Sequence, residues 1–221
     1  MNTRGACVRF LMRGLLVFST MTRRPATDLP ADPRDLALEY EQVRQVSREG
    51  EWDGADDWTV TVRLRGRGRS GWTPVEPGEI GELKLVRARK AELFNWQPED
   101  FTEPGVRDAL LGIFDMGHGG YRPPFQDHIT STDGDLLVLD DVRLDPDWRG
   151  FGLGAIVVSE AIWTLADGCS AIAATTSHWE SVGFRLRPPP LGYLLDPRDP
   201  EAVALRELRR REFGELCDAY S

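Results

Sequence analysis

Cysteine, histidine and lysine are all scarce in this chain of 221 residues. The three cysteines, Cys7, Cys169 and Cys217, are odd in number and far apart, which argues against a disulfide framework and fits a reducing compartment. The three histidines, His118, His128 and His178, share no short ligand spacing, so no bound metal is expected. Only two lysines occur, Lys84 and Lys90, leaving nearly all positive charge to arginine. Long apolar runs are missing too. Residues 8–18, VRFLMRGLLVF, are interrupted by Arg13 and reach about half of the ~20 residues that a membrane span needs. No small-x-small cleavage site follows, and Arg23-Arg24 come soon after, so the run does not read as a signal peptide. Met12 and Met21 offer alternative starts. Residues 1–34 therefore read as a disordered or mis-assigned leader and linker, and the protein reads as cytoplasmic.

Acidic residues, by contrast, are abundant. The chain has 36 Asp and Glu against 27 Lys and Arg, a net charge of −9. Five of those arginines lie in residues 1–30 beside a single Asp, so residues 31–221 carry 22 basic and 35 acidic side chains, a net −13. Such a body repels a phosphate backbone and attracts cationic small molecules or basic peptides. Neither nucleic acid nor a membrane is an expected partner. The hydrophobic share of 41% and the charged share of 29% are ordinary for a globular protein long enough to bury a real core.

Periodicity gives the order of elements. Leu36, Leu38, Tyr40, Val43 and Val46 fit a helix that ends at the Gly50–Gly54 break. Trp58–Leu64 and Ile80–Val86 alternate as strands and pair as a hairpin with a long tip at 65–79. Thr102 and Pro104 open a helix carrying Val106, Leu110, Leu111 and Phe114, and residues 115–134 read as a long loop. A strand over Asp135–Leu144, a helix over Gly152–Ala166 and a strand over Ser170–Thr175 follow. Trp179–Val182 allows one helical turn, a last strand falls around Tyr193–Leu195, and Asp199-Pro200-Glu201 caps a terminal helix. The expected fold is α/β (α+β), a mixed and mostly antiparallel twisted sheet flanked by helices. Its main domain covers 35–198, with the terminal helix at 199–221.

The chemistry concentrates in residues 142–155, VRLDPDWRGFGLGA. A strand enters a proline turn, and Arg149-Gly-Phe-Gly-Leu-Gly154 opens a helix. Unpaired N–H groups at a helix start attract anions, and the helix dipole adds partial positive charge. Glycine lets a phosphate approach the backbone, and Arg149 adds charge-assisted bonds. A P-loop would need Gly-Lys-Ser/Thr, which is absent. Gly150-x-Gly152-x-x-Ala155 fits the dinucleotide pattern, but only about seventy residues follow, too few for the remaining βαβ units. The pyrophosphate of coenzyme A is the third reading.

Arg149-x-x-Gly152-x-Gly154 resembles the Arg/Gln-x-x-Gly-x-Gly/Ala motif of the GCN5-related N-acetyltransferase (GNAT) superfamily. Trp179-Glu-Ser-Val-Gly183-Phe184 resembles that family's aromatic-x-x-Leu-Gly-Phe, and the two motifs occur in the family's order. The likeness covers residues 135–186 and is loose over 57–115. It implies an acyl-CoA-binding domain that transfers an acetyl group from acetyl-CoA to an amine of a small molecule or peptide. Val142 and Leu144 would then offer backbone bonds to the pantetheine arm and thioester. Arg149, Gly150, Phe151, Gly152, Leu153, Gly154 and Ala155 would hold the diphosphate. Asp140, two residues before Val142 and expected on its face of the strand, is the preferred general base, with Asp141 and Glu82 behind it. The family's tyrosine acid falls at Trp179, so that role is empty or passes to Tyr193 or Tyr121. The family's helix after Ser170–Thr175 is also nearly deleted. These two departures keep open an alternative, a catalytically inactive coenzyme A-binding or interaction module. A third reading is a subunit that pairs through the terminal helix and its Arg206, Arg209, Arg210 and Arg211. A homodimer is the default assembly.

Overall fold

Alternating apolar residues along seven segments build one sheet, and the computed structural model describes it through residues 23–43, 55–65, 78–90, 103–115 and 117–220. In chain order the elements are β1 (Leu36–Val43), β2 (Ala55–Leu64), β3 (Gly78–Ala88), α1 (Pro104–Ile113), β4 (Phe114–Asp115), β5 (Gly120–Tyr121), α2 (Pro123–Gln126) and β6 (Asp135–Leu144). After them come α3 (Leu153–Leu165), β7 (Cys169–Ala174), β8 (Arg185–Arg187), β9 (Gly192–Leu195) and α4 (Pro200–Tyr220). The sheet order is β1-β2-β3-β6-β7-β9-β8, and every neighbouring pair is antiparallel except β6 with β7. The fold is therefore a mixed α/β architecture with a mostly antiparallel seven-stranded sheet flanked by helices. The hairpin tip falls largely outside the described residues, as do residues 1–22, Val46, Thr102 and the Gly50–Gly54 break.

Two cores follow from the pleat. Val60, Val62, Leu83, Leu85, Leu137 and Leu139 face α3 and α4, whereas Val86, Ala88, Leu136 and Val138 face α1. α3 is apolar almost all round, as expected of a helix wedged between the sheet and α4. α4 starts at an Asx cap, with the Glu201 N–H donating to Asp199 Oδ1 at 2.9 Å. On the other face, stacked rings of Phe114, Tyr121 and Phe125 have centroids 4.7 Å apart and support α1. A bidentate pair between Arg89 and Asp56, the latter 4% exposed, ties β2 to the end of β3.

Three sequence expectations need correction. Residues 36–43 form a strand rather than a helix. Leu36, Tyr40 and Val43 satisfy helical spacing, but Leu36, Leu38 and Tyr40 also alternate, and pairing with β2 selects that second period. The stretch 115–134 is not one open loop, because β4, β5 and α2 lie within or beside it. Residues 23–34, read as linker, pack on the body: Leu29 and Ala31 are 5% and 3% exposed. Arg34 pairs with Asp218 of α4, and Arg23 with Glu212.

Candidate functional site

The glycine turn is held by its apolar residues. Trp148, Phe151 and Leu153 are 4%, 1% and 2% exposed and enter the core beneath α3. Their burial leaves Arg149, Gly150, Gly152, Gly154 and Ala155 toward the surface. Phe151 and Leu153 can therefore offer a ligand only their backbone. Gly150 and Gly152 have φ of 89° and 85°, a conformation that glycine adopts without a Cβ penalty. Gly152 is the N-cap of α3 and supplies no side-chain cap, so the N–H groups of the first turn are uncapped. A terminus of this kind carries the unpaired N–H groups and partial positive charge that attract anions in general.

Two arginines that the sequence reading placed in the linker lie on this turn. The Arg24 N–H donates to the Gly150 carbonyl at 2.9 Å, and its guanidinium sits 4.5 Å above the Phe151 ring. A Cβ on Gly152 would lie 3.1 Å from the Arg23 guanidinium carbon, and one on Gly150 would lie 3.0 Å from the Arg24 Cδ. Arg149 donates through Nε to the Leu144 carbonyl at 2.6 Å. Three guanidiniums thus surround the turn. Gly154 differs from the other two glycines: a Cβ there meets only Leu144 Cδ1, at 3.8 Å.

Beside the turn, β6 and β7 part. Their parallel ladder ends at Leu139 and Ala174. Thr175 closes it, its N–H donating to the Leu139 carbonyl and its hydroxyl to the Asp140 carbonyl at 2.7 Å. Residues 141–144 continue along β3 alone. Both residues named for the coenzyme arm lie on this free stretch. Val142 and Leu144 pack toward α3, yet both backbone positions have occupants. The Val142 N–H donates to Asp141 Oδ1 at 2.9 Å, and the Leu144 carbonyl accepts from Arg149.

The bulge at the end of the ladder changes the expected place of Asp140. Lys84 pairs with Asp141 and Leu85 with Leu139, so Asp140 is the extra residue and the alternation reverses across it. Leu137 and Leu139 share the α3 face with Val142 and Leu144. Asp140 instead turns toward α1, with Oδ1 3.6 Å from the position of a Cβ on Gly105. The expectation that Asp140 and Val142 share a face is therefore corrected. Partial burial raises the Asp140 pKa above 3.8, and the carboxylates of Glu103 and Asp141 add to the rise against the attraction of Lys84.

The other candidates separate. Asp141 is engaged by its own strand, accepting from the Val142 N–H and pairing with Arg143 at 2.6 Å. Glu82 stands opposite Arg143 in the ladder, on the α1 side with Lys84 and Asp141. Tyr193 pairs with Ala174, the last residue of β7, and packs on the α3 side, level with the opening. Tyr121 is buried at the far end of β6, where its hydroxyl donates to the Gly134 carbonyl at 2.8 Å, so it does not reach the opening. Trp179 lies in a 3-10 segment over Ser177–Val182 and packs on the α3-side core. Among the described residues no three of His, Cys, Asp and Glu converge as a metal site, and no helix is long and apolar enough to cross a membrane.

No family model matches this sequence, and no curated protein matches it. Among solved structures, a tyrosine-to-phenylalanine mutant of KacT overlaps 77% of this chain and 98% of its own, at 11% identity and a TM-score of 0.37. An overlap that loose carries no argument about fold or function.

Proposed function

We propose that the protein is a GNAT-type N-acyltransferase that holds acetyl-CoA against the glycine turn and passes the acetyl group to an amine. The observation that carries this reading is the uncapped N-terminus of α3 following directly on β6, beside the point where β6 and β7 part. The first turn of α3 with Arg149 suits a diphosphate, and Arg24 adds a further cation beside Arg23, which is paired with Glu212. The stretch of β6 beyond its ladder with β7 suits an extended arm once the Val142 N–H and the Leu144 carbonyl are released from Asp141 and Arg149. In the transfer, a neutral amine attacks the thioester carbon. A C–N bond forms, the C–S bond breaks, coenzyme A leaves as the thiolate, and the amine's proton passes to Asp140, directly or through water. A net −13 over residues 31–221 favours a cationic amine or basic peptide as acceptor, and the few cysteines fit a cytoplasmic setting.

One observation favours a second reading, a coenzyme A-binding module without turnover. The Val142 N–H, the natural donor to a developing oxyanion, already serves Asp141. Transfer requires that carboxylate to swing toward Arg143, with which it also pairs. The test is release of free thiol from acetyl-CoA in the presence of polyamines, aminoglycosides and basic peptides. The transferase reading predicts amine-dependent release that Asp140→Asn reduces at least tenfold. Coenzyme binding without release on any of these amines would favour the module.

A further inference from the structure

Residues 23–28 lie over the glycine turn as a flap. None of the six is buried, and the nearest buried side chains behind them are Leu29 and Ala31. A 3-10 turn over Ala26–Asp28 joins the exposed tip to that anchor, with the Leu29 N–H donating to the Ala26 carbonyl at 3.1 Å. The tip itself is held by surface contacts. The Arg24 N–H donates to the Gly150 carbonyl, the Arg24 guanidinium covers the Phe151 ring, and Arg23 pairs with Glu212 at 3.0 Å. Contacts of this exposed kind are individually weak. A segment that buries no side chain of its own opens at far lower cost than the body behind it.

The tip also fills the faces that a phosphate would use. Arg24 sets Cδ and Cγ 3.0 and 3.2 Å from the position of a Cβ on Gly150. Arg23 sets Cζ and Nε 3.1 Å from the position of a Cβ on Gly152. Carbon atoms in ordinary contact stand about 3.5–4 Å apart, so neither gap takes even a methyl carbon without a shift. A phosphate group is larger than a methyl. Flap and phosphate therefore cannot share the faces of Gly150 and Gly152. Only the Gly154 face of the three stays open, with Leu144 Cδ1 at 3.8 Å.

We infer that residues 23–28 are an autoinhibitory flap, which swings off the turn about Ala26–Asp28 before acetyl-CoA seats its diphosphate. The inference rests on the coenzyme reading of the same turn. A closed flap lowers the apparent affinity in proportion to the fraction of molecules that are open. Pro25 favours closure, because its φ of −64° is the value that proline fixes in the open chain as well. Pro25→Gly, at an exposed position, keeps both arginines and all their charge while loosening the flap. Calorimetric titration of acetyl-CoA should therefore show about two- to fivefold tighter binding by Pro25→Gly than by wild type. A flap that clamped the coenzyme would give the opposite sign. In the wild-type protein the Arg24 Nε–H signal, displaced by the Phe151 ring current, should return to the free-arginine position on saturation with acetyl-CoA. Equal or weaker binding by Pro25→Gly, or an Arg24 signal that does not move, would overturn the flap and leave the coenzyme reading standing. Absent binding by both proteins would overturn both.

Discussion

Phe151 and Arg24 together should hold the glycine turn in place, and their energies can be separated. The Phe151 ring is 1% exposed within the core beneath α3, so Phe151→Ala should cost about 3–5 kcal/mol, the range for removing a buried ring. The Arg24 guanidinium lies 4.5 Å over the same ring, but its side chain is exposed and its bonds to the Asp147 and Arg149 carbonyls are long, at 3.4 Å. Arg24→Ala should therefore cost about 0.5–1 kcal/mol, the value of an exposed cation–π contact. Phe151→Leu keeps an apolar anchor while removing the π face, so it serves as the second arm of a double-mutant cycle. Urea unfolding, followed by tryptophan fluorescence with buried Trp148 three residues away, gives each term. A coupling of about 0.5–1 kcal/mol between Arg24→Ala and Phe151→Leu is expected, the double variant losing that much less than the sum of the two singles. A coupling near zero would mean that Arg24 is not a strap on the turn. A Phe151→Ala cost below about 1 kcal/mol would refute the burial argument for the turn itself.

Three further outcomes follow from particular residues. The Asp140 pKa is raised above 3.8, and its ionised form is the base, so acyl transfer should rise with pH through a midpoint above that value. Asp140→Asn should lose this limb of the profile, and an unchanged limb would move the base elsewhere. Asp56→Ala removes the buried half of a bidentate pair whose arginine is about a quarter exposed, and should destabilise the protein by about 1–3 kcal/mol in urea unfolding; no measurable loss would show the pair to be dispensable. Burial pushes the Cys169 thiol up to about 11, so iodoacetamide at pH 8 should leave it unmodified until the protein is unfolded. Rapid labelling of the native protein would contradict that placement.

The centre of the fold was legible because its signals are local. Asp135–Leu144 is bounded by glycine before and proline after, and Gly150, Gly152 and Gly154 mark the start of α3 without long-range information. What sequence reasoning missed depends on pairing. Leu36, Tyr40 and Val43 fit a helix and a strand alike, and contact with β2 decides between them. The bulge at Asp140 arises from the register of β6 against β3, so strict alternation assigned that carboxylate to the wrong face. Arg23 and Arg24 lie more than a hundred residues from the turn they touch, and a stretch rich in Pro, Asp and Thr gives no local sign of packing. The buried Arg209 was equally hidden, because a run of arginines on a terminal helix normally reads as a solvated face.

The central claim is that coenzyme A binds at the first turn of α3, and Gly154 offers the cleanest test. Gly152→Glu would force a side chain into a φ of 85° and against Arg23, so a loss of binding there would have two explanations. At Gly154 an added Cβ meets only Leu144 Cδ1 at 3.8 Å and the backbone is not in a left-handed conformation, so the fold should tolerate the substitution while its charge opposes a diphosphate. Calorimetric titration of acetyl-CoA into wild type and Gly154→Glu, with unfolding curves to show that both fold, decides the matter. Wild-type binding weakened at least a hundredfold in the variant is the predicted result. No binding to the wild type, or equal binding to both, would contradict the account.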